Sequence, residues 1–439
     1  MAAWRTLGVL TGLLVFQSVG FAQSYTLTEI PKTGECFRYT LDTTVTGMLK
    51  IPTDGKQIPI KLAVTGKHAF TQRTLMVKDD AITRTARSYE KAETTVAVGT
   101  DNSKQALRSD RQLIIAQQGD AGIVCYSIAG PLTREEKDLV SDHLDTLRLT
   151  SILPTKAVDL DEKWTLSNPT AQMLCSFEGL ISHDLQARVS EVKDGAAIVR
   201  IEGKASGIEL GAMVNVEIDA TLSYALLPKR ITSLEWKRRD VRDSGPANPP
   251  SELETTVKLT RTVLENEPKD LSDSSLVSVP TNMDIPGPLA QLSLKDPKGR
   301  YSMMHARDWH VVSASDSHLV MRLIDRGDLI AQGTITTWRK AEPGKHLSGE
   351  EFKQIVNSQP GWELEEQVDD GEIPTDDGRW LYRITGKGMV NGLKVVQTFY
   401  CLADKDGNQL LITFTMKPTH STKIGTRDVA LVNAIEFVK

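Results

Sequence analysis

Apolar and polar residues alternate with a period of two through most of this chain. Phe37, Tyr39, Leu41, Thr43 and Val45 share one parity, and Ile58, Ile60, Leu62 and Val64 repeat the pattern. That period sends successive side chains to opposite faces and predicts strands with one buried face. Between the two runs, Asp54-Gly55 supplies the residues that tight hairpin turns favour. Strands are expected to continue through 82–98 and 105–118, with a shorter piece at Ile123, Cys125 and Ser127. One helix interrupts the series. Thr133 stands three residues before Glu136, the spacing of a capping box, and Leu139, Val140, His143, Leu144 and Leu147 then repeat at helical intervals. Its apolar stripe predicts a helix covering a sheet face, and His143 on that stripe reads as a packed core histidine.

A second strand set follows Pro154. Trp164 and Leu166 open it, and Asn168-Pro169 begins a brief helix through Leu174. Leu185, Ala187 and Val189 alternate, Asp194-Gly195 turns the chain, and Ala197, Val199 and Ile201 alternate again. The cleanest strand holds Val214, Val216, Ile218, Ala220, Leu222 and Tyr224 on one parity, and Pro228-Lys229 turns it into 231–237. A loop at 244–250 and a strand at 255–263 close the set. Long antiparallel strands twist and curl. Residues 23–265 are therefore expected to form a long curved antiparallel sheet, a half-barrel with a covering helix, whose two strand sets fall in 23–153 and 154–265. The pattern leaves open whether the sets make one continuous sheet.

Residues 266–299 carry Pro268, Pro280, Pro286, Pro288 and Pro297 without periodicity and read as a linker. In 300–439, strand-like pieces lead to a second capping box, Ser348 with Glu351, and to a helix marked by Phe352, Ile355 and Val356. Strands at 380–389, 393–403 and 409–416 follow, joined by Asn391-Gly392 and Asp406-Gly407. A closing helix carries Val429, Leu431, Val432 and Ile435. This order predicts an α/β sandwich, and the whole chain is classed as α+β, mainly β.

The C-terminal layout resembles the PsbP-like domains, also found in small exported bacterial proteins. The resemblance is carried by Tyr301 with Asp308-Trp309, the helix at 348–358, Gly386 and Gly388 before the Asn391-Gly392 turn, Thr398-Phe399-Tyr400, and the last helix leading to Ile435; it covers about a third of the chain. It implies partner binding rather than catalysis. No catalytic residue carries over, and the metal site of some members finds no matching ligand set. Residues 36–265 resemble the curved-sheet carriers of the lipoprotein-sorting type through long strands and a covering helix. That resemblance implies acyl chains in the concave face.

The N-terminus sets the expected compartment. Arg5 precedes an apolar run over 7–16, and Gly20 and Ala22 are small residues placed for cleavage before Gln23. The pattern reads as a signal peptide over 1–22, cut between Ala22 and Gln23, with the mature protein periplasmic or extracellular. The run is short of the ~20 residues of a membrane span, and no later run in the mature chain reaches that length. An uncleaved anchor helix is the alternative.

Charge and chemistry narrow the function classes. A formal net charge of −5 over 439 residues, with no basic block, argues against nucleic acid binding. The four cysteines, Cys36, Cys125, Cys175 and Cys401, are widely spaced and have apolar neighbours. They read as buried thiols, with a Cys36–Cys125 disulfide as the alternative. HExxH, GxSxG, P-loop and GxGxxG patterns do not occur. His305 and His310, the nearest histidine pair, would point to opposite faces of an extended segment. Asp369-Asp370 and Asp376-Asp377 flank Gly371 and Gly378 and read as a solvated loop, with calcium binding as the alternative. Lys237-Arg238-Arg239 with Arg242 reads as a solvated hairpin end, or as a surface for an acidic partner. No catalytic, cofactor-binding or metal-ligating residue is nominated and no cofactor is expected. The expected function is a non-enzymatic exported binding or scaffolding protein for an unknown protein or apolar ligand. The alternatives are a carrier of lipid or other apolar cargo and an unrecognised hydrolase. A deep apolar cavity walled by Val214, Val216 and Ile218 would favour the carrier.

Overall fold

The computed structural model describes residues 24–53, 56–119, 122–141, 146–280 and 285–438. The cleavage pair Ala22 and Gln23, the Asp54-Gly55 turn, His143 and Leu144 lie outside those residues. The described chain is mainly β, with 57% strand and 12% helix. Among the described residues no helix is long and apolar enough to cross a membrane.

In chain order the N-terminal lobe holds β1 (Cys36–Thr53), β2 (Lys56–Lys78), β3 (Ala81–Val98), β4 (Asp101–Ala106), β5 (Leu113–Gly119), β6 (Gly122–Ser127), β7 (Leu132–Thr133), α1 (Arg134–Val140), β8 (Lys163–Thr165), α2 (Asn168–Leu174), β9 (Gly179–His183), β10 (Gln186–Lys193), β11 (Ala196–Glu209), β12 (Ala212–Ala225), β13 (Arg230–Arg242) and β14 (Ser251–Leu264). Among the described residues these form one thirteen-stranded sheet running β6-β5-β3-β2-β1-β14-β13-β12-β11-β10-β8, with β4 added to β3 and β9 to β11. The two strand sets are continuous because β1 pairs along its length with β14, from Cys36 opposite Leu264 to Leu49 opposite Ser251. The sheet does not close into a barrel. The alternating strands behave as their pattern requires: Val214, Val216, Ile218, Ala220, Leu222 and Tyr224 of β12 are all buried, and the residues between them face outward. At the β10–β11 turn, Asp194 and Gly195 both take positive φ, 51° and 77°, as tight hairpins require.

The inner face of this sheet is filled by the chain itself. Leu27 of the N-terminal segment, Ile152 and Val158, and Leu174 and Phe177 around α2 belong to one core cluster with the inward rows of β1 and β10–β14. Several polar contacts lock the N-terminal segment in place. Tyr25 bridges Val158, and Tyr224 Oη donates to the Thr28 carbonyl at 2.7 Å. The Glu29 carboxylate accepts from the Ile231 amide at 2.8 Å and from Arg261 Nη1 at 2.5 Å. Arg261 lies over the Phe37 ring, 3.6 Å from its centroid. Buried charges survive only when paired and hydrogen-bonded in this way.

Three sequence expectations change. The strand expected over 105–118 is two strands, because the long β3 pairs with β4 along Glu93–Val98 and with β5 along 84–88, and a 3₁₀ turn at Ser109–Arg111 carries the chain between them. The covering helix stops at Val140, where Ser141 turns extended (φ −86°, ψ 94°), and Leu147 is buried from a separate 3₁₀ turn. The Thr133–Glu136 capping box is present. Asp369 and Asp370 sit in a strand rather than a loop, as described below.

The remainder holds α3 (Gly287–Ala290), β15 (Leu292–Lys295), β16 (Tyr301–His305), β17 (Trp309–Ala314), β18 (His318–Asp325), β19 (Asp328–Thr337), α4 (Gly349–Asn357), β20 (Trp362–Glu372), β21 (Trp380–Val390), β22 (Leu393–Ala403), β23 (Gln409–Met416), α5 (Arg427–Asn433) and β24 (Ile435–Phe437). A seven-stranded sheet runs β17-β18-β19-β23-β22-β21-β20. On one face α4 packs Phe352 and Val356 against Tyr382, Ile384 and Phe399. On the other, α5 sets Leu431 and Val432 against Tyr400 and Leu402. Alternation along β22 supplies both faces at once. Within residues 266–299, Leu271 and Leu276 pack on Ala86, Ile115 and Tyr126. β15 pairs antiparallel with β16 and parallel with β7. A four-stranded sheet, β24-β16-β15-β7, thus spans the two lobes.

Candidate functional site

Where β12, β13 and β14 reach one end of the sheet, the inward row of β13 changes character. Leu234 and Trp236 are apolar and buried; Arg238, Asp240 and Arg242 continue the same parity with charge. Register aligns Arg242 with Val214 on one side and Ser251 on the other, so three strands present these groups to one space. From the opposite side α1 brings Asp138 and Ser141. Together they line a partly open cleft of about 360 Å³ whose wall also includes Ser176, Glu209 and Thr255. A second cavity of about 190 Å³, lined by Leu41, Thr43 and His68 among others, shares Asp138 and Ser141. The end of α1 therefore stands between the two spaces.

The cleft charges come in pairs. Arg238 Nε donates to Asp240 Oδ1, and each side chain is only 11% exposed. Arg238 Nη1 also donates to the Cys175 carbonyl at 2.8 Å, which fixes the guanidinium from a second direction. Arg242 pairs with Glu209. Burial pushes the Asp240 carboxyl above its ordinary range, against the pull of Arg238. Burial, with Glu209 nearby, also raises Glu178. This wall fixes polar groups in place; it presents hydroxyls, guanidinium edges and carboxylates together.

The basic run expected as a solvated hairpin end is split by strand parity. Lys237 and Arg239 point outward and are exposed, whereas Arg238 and Arg242 turn inward to the cleft. Asp240, Glu209 and Trp236 were not singled out by sequence reasoning. The available signal was the parity of 234–242, which places charged residues on a buried row.

The other sequence candidates are engaged elsewhere. Asp369 and Asp370 lie in the edge strand β20, which pairs on one side only and tolerates exposed charge. Asp370 accepts from Tyr382 Oη at 2.7 Å and pairs with Lys353 at 2.7 Å. Asp369 pairs with Arg383 and Asp377 with Arg379. The four cysteines are buried thiols that form no disulfide. Burial pushes Cys175 and Cys401 up to about 12. The turn between β16 and β17 brings His305 and His310 toward α1, where Arg134 Nη1 lies 3.2 Å from His310 Nδ1. Among the described residues no group of three or more His, Cys, Asp or Glu is placed to hold a metal ion.

No family model matches this chain, and no curated protein matches it. Among solved structures, cyanobacterial PsbP (CyanoP) from Synechocystis sp. PCC 6803 is similar at 14% identity over 34% of this chain and 93% of that one, with a TM-score of 0.26. A structure describing lipid–protein interactions in lipovitellin is similar at 8% identity over 56% of this chain and 27% of that one, with a TM-score of 0.29. These are likenesses of fold at low scores.

Proposed function

We propose that this chain is an exported binding protein that holds a small polar ligand in the cleft between α1 and β12–β14 without transforming it. The observation that carries the reading is the inward, ion-paired row Arg238, Asp240 and Arg242 facing a partly open cleft of about 360 Å³. Removing such groups from water is costly unless pairing and hydrogen bonds offset it. The volume falls in the ~300–1,000 Å³ range of small-molecule sites. The paired arginines and carboxylates suit a ligand bearing both acceptors and donors, such as a polyol, an amino acid or a short peptide. An acyl cargo would have to displace Leu27, Leu174 and Phe177 from the inner face, all of which are buried. Export rests on the leader over 1–22 and its Ala22/Gln23 junction.

The test is thermal-shift and calorimetric screening of the mature protein against polar metabolites, beside native mass spectrometry of protein purified without added ligand. A polar hit lost in Arg238→Met supports the reading. A co-purifying acyl species, with no polar hit, overturns it in favour of the carrier. Sequencing of the exported protein is expected to begin at Gln23; an intact Met1 defeats the export reading.

A further inference from the structure

The helix that closes the cleft is also the element that meets the other lobe. Asp138 and Ser141 face the cleft. On the same helix, Arg134 Nη1 donates to His310 Nδ1 at 3.2 Å, since a guanidinium is always the donor. The groups around His310 are Arg134, Lys137 and Asp138 from α1 and His305 from β16. His305 is 2% exposed and has Nδ1 2.9 Å from the Ala306 carbonyl, which makes Nδ1 the proton carrier. Asp308, in the turn, is held by Arg427 at 3.1 Å, and Arg427 reaches Asp325 at 3.1 Å as well. Lys137 and Arg134 both share Asp138, at 2.7 and 3.4 Å. The junction therefore has two cations on α1 that one carboxylate must balance, and it accepts imidazoles only in neutral form.

We infer that α1 is a pH-operated gate on the cleft: protonation of His310 sets its Nδ1–H donor face to face with the Arg134 donor, drives α1 from the β16–β17 turn, and opens the wall formed by Asp138 and Ser141. The inference rests on the cleft being the binding site. A proton on Nδ1 removes the only lone pair that Arg134 uses there, and adds a like charge beside Arg134 and Lys137. Burial, reinforced by Arg134 and Lys137, holds His310 down to about 4, so the neutral junction is stable near neutrality and yields on acidification. The other anchor of α1, Glu136, is held in its charged form by its partners. Burial works against ionised Glu136, but the Arg108 pair and the Thr133 amide outweigh it and keep the carboxyl below its ordinary value.

Hydrogen exchange of the mature protein without ligand, read from pH 7 to pH 4 and corrected for intrinsic rates, tests the gate. The opening equilibrium of peptides spanning 134–141 is expected to rise about tenfold per pH unit below the ~6.5 at which a released imidazole binds its proton, and to level off at about 4, where His310 protonates in the closed junction. Peptides of the cleft wall at 236–242 should follow, and those of β21–β22 should stay unchanged. His310→Gln should abolish the acid step, and Arg134→Gln should move upward the pH at which it levels off while weakening the loss of protection. If His310→Gln fails to fold, the Arg134→Gln shift decides. Equal acid loss in wild type and both variants, or loss at α1 without the cleft wall, overturns the gate. Because no ligand is added, a failed ligand screen leaves this readout intact, and a failed gate leaves the binding test intact.

Discussion

Replacing Glu29 with Gln would strip the charge partner from Arg261 in the interior of the N-terminal lobe. The two side chains are 1% and 3% exposed. The amide can still accept from the Ile231 amide, so the loss falls on the guanidinium, which keeps its charge over the Phe37 ring with no carboxylate at 2.5 Å. Breaking a buried pair from one side costs roughly 3–5 kcal/mol, a large share of the ~5–15 kcal/mol that holds a domain folded. With a urea slope of about 3 kcal/mol/M, the unfolding midpoint should fall by about 1–1.7 M. Arg261→Met should cost a similar amount. The double variant Glu29→Gln with Arg261→Met leaves no unpaired charge and should be destabilised by less than the sum, the cycle giving a coupling of at least about 2 kcal/mol. Urea unfolding of all four proteins, with hydrogen exchange at 24–35, measures it. Single changes below about 1 kcal/mol that simply add would refute the account, because the N-terminal segment would then not be held by this pair.

Two further outcomes are expected. Gly388→Ala should destabilise the C-terminal lobe, because a Cβ there would lie 2.1 Å from the Glu363 carbonyl and 2.8 Å from the Trp362 ring; overpacking of that kind costs about 1–3 kcal/mol, and a thermal melt that stays in place would contradict the register. Cys175 and Cys401, both fully buried with thiols pushed up to about 12, should resist a thiol reagent at pH 8 in the native protein and react at once in denaturant.

Much of the architecture was legible because strand alternation is a local property. The inward residues of β12 from Val214 to Tyr224, the capping boxes at Thr133 and Ser348, and the Asn391-Gly392 hairpin are each written in a short window. The cleft was not, because Arg238, Asp240 and Arg242 look like a solvated hairpin end until α1 is placed opposite them. Asp369 and Asp370 escaped for another reason: two register shifts in β20 break its alternation. β15 is four residues long, and its partners β7 and β16 are defined only by the finished fold.

That short strand has a consequence for how the protein can be divided. Leu292 and Ser293 sit beside Leu132 and Thr133 on one flank, and Leu292 faces His305 on the other. A cut anywhere between the last long strand of the first lobe and Tyr301 orphans at least one of those flanks and bares hydrogen-bonding backbone to any passing chain. A fragment ending at residue 265 should clump with its own kind rather than stand alone.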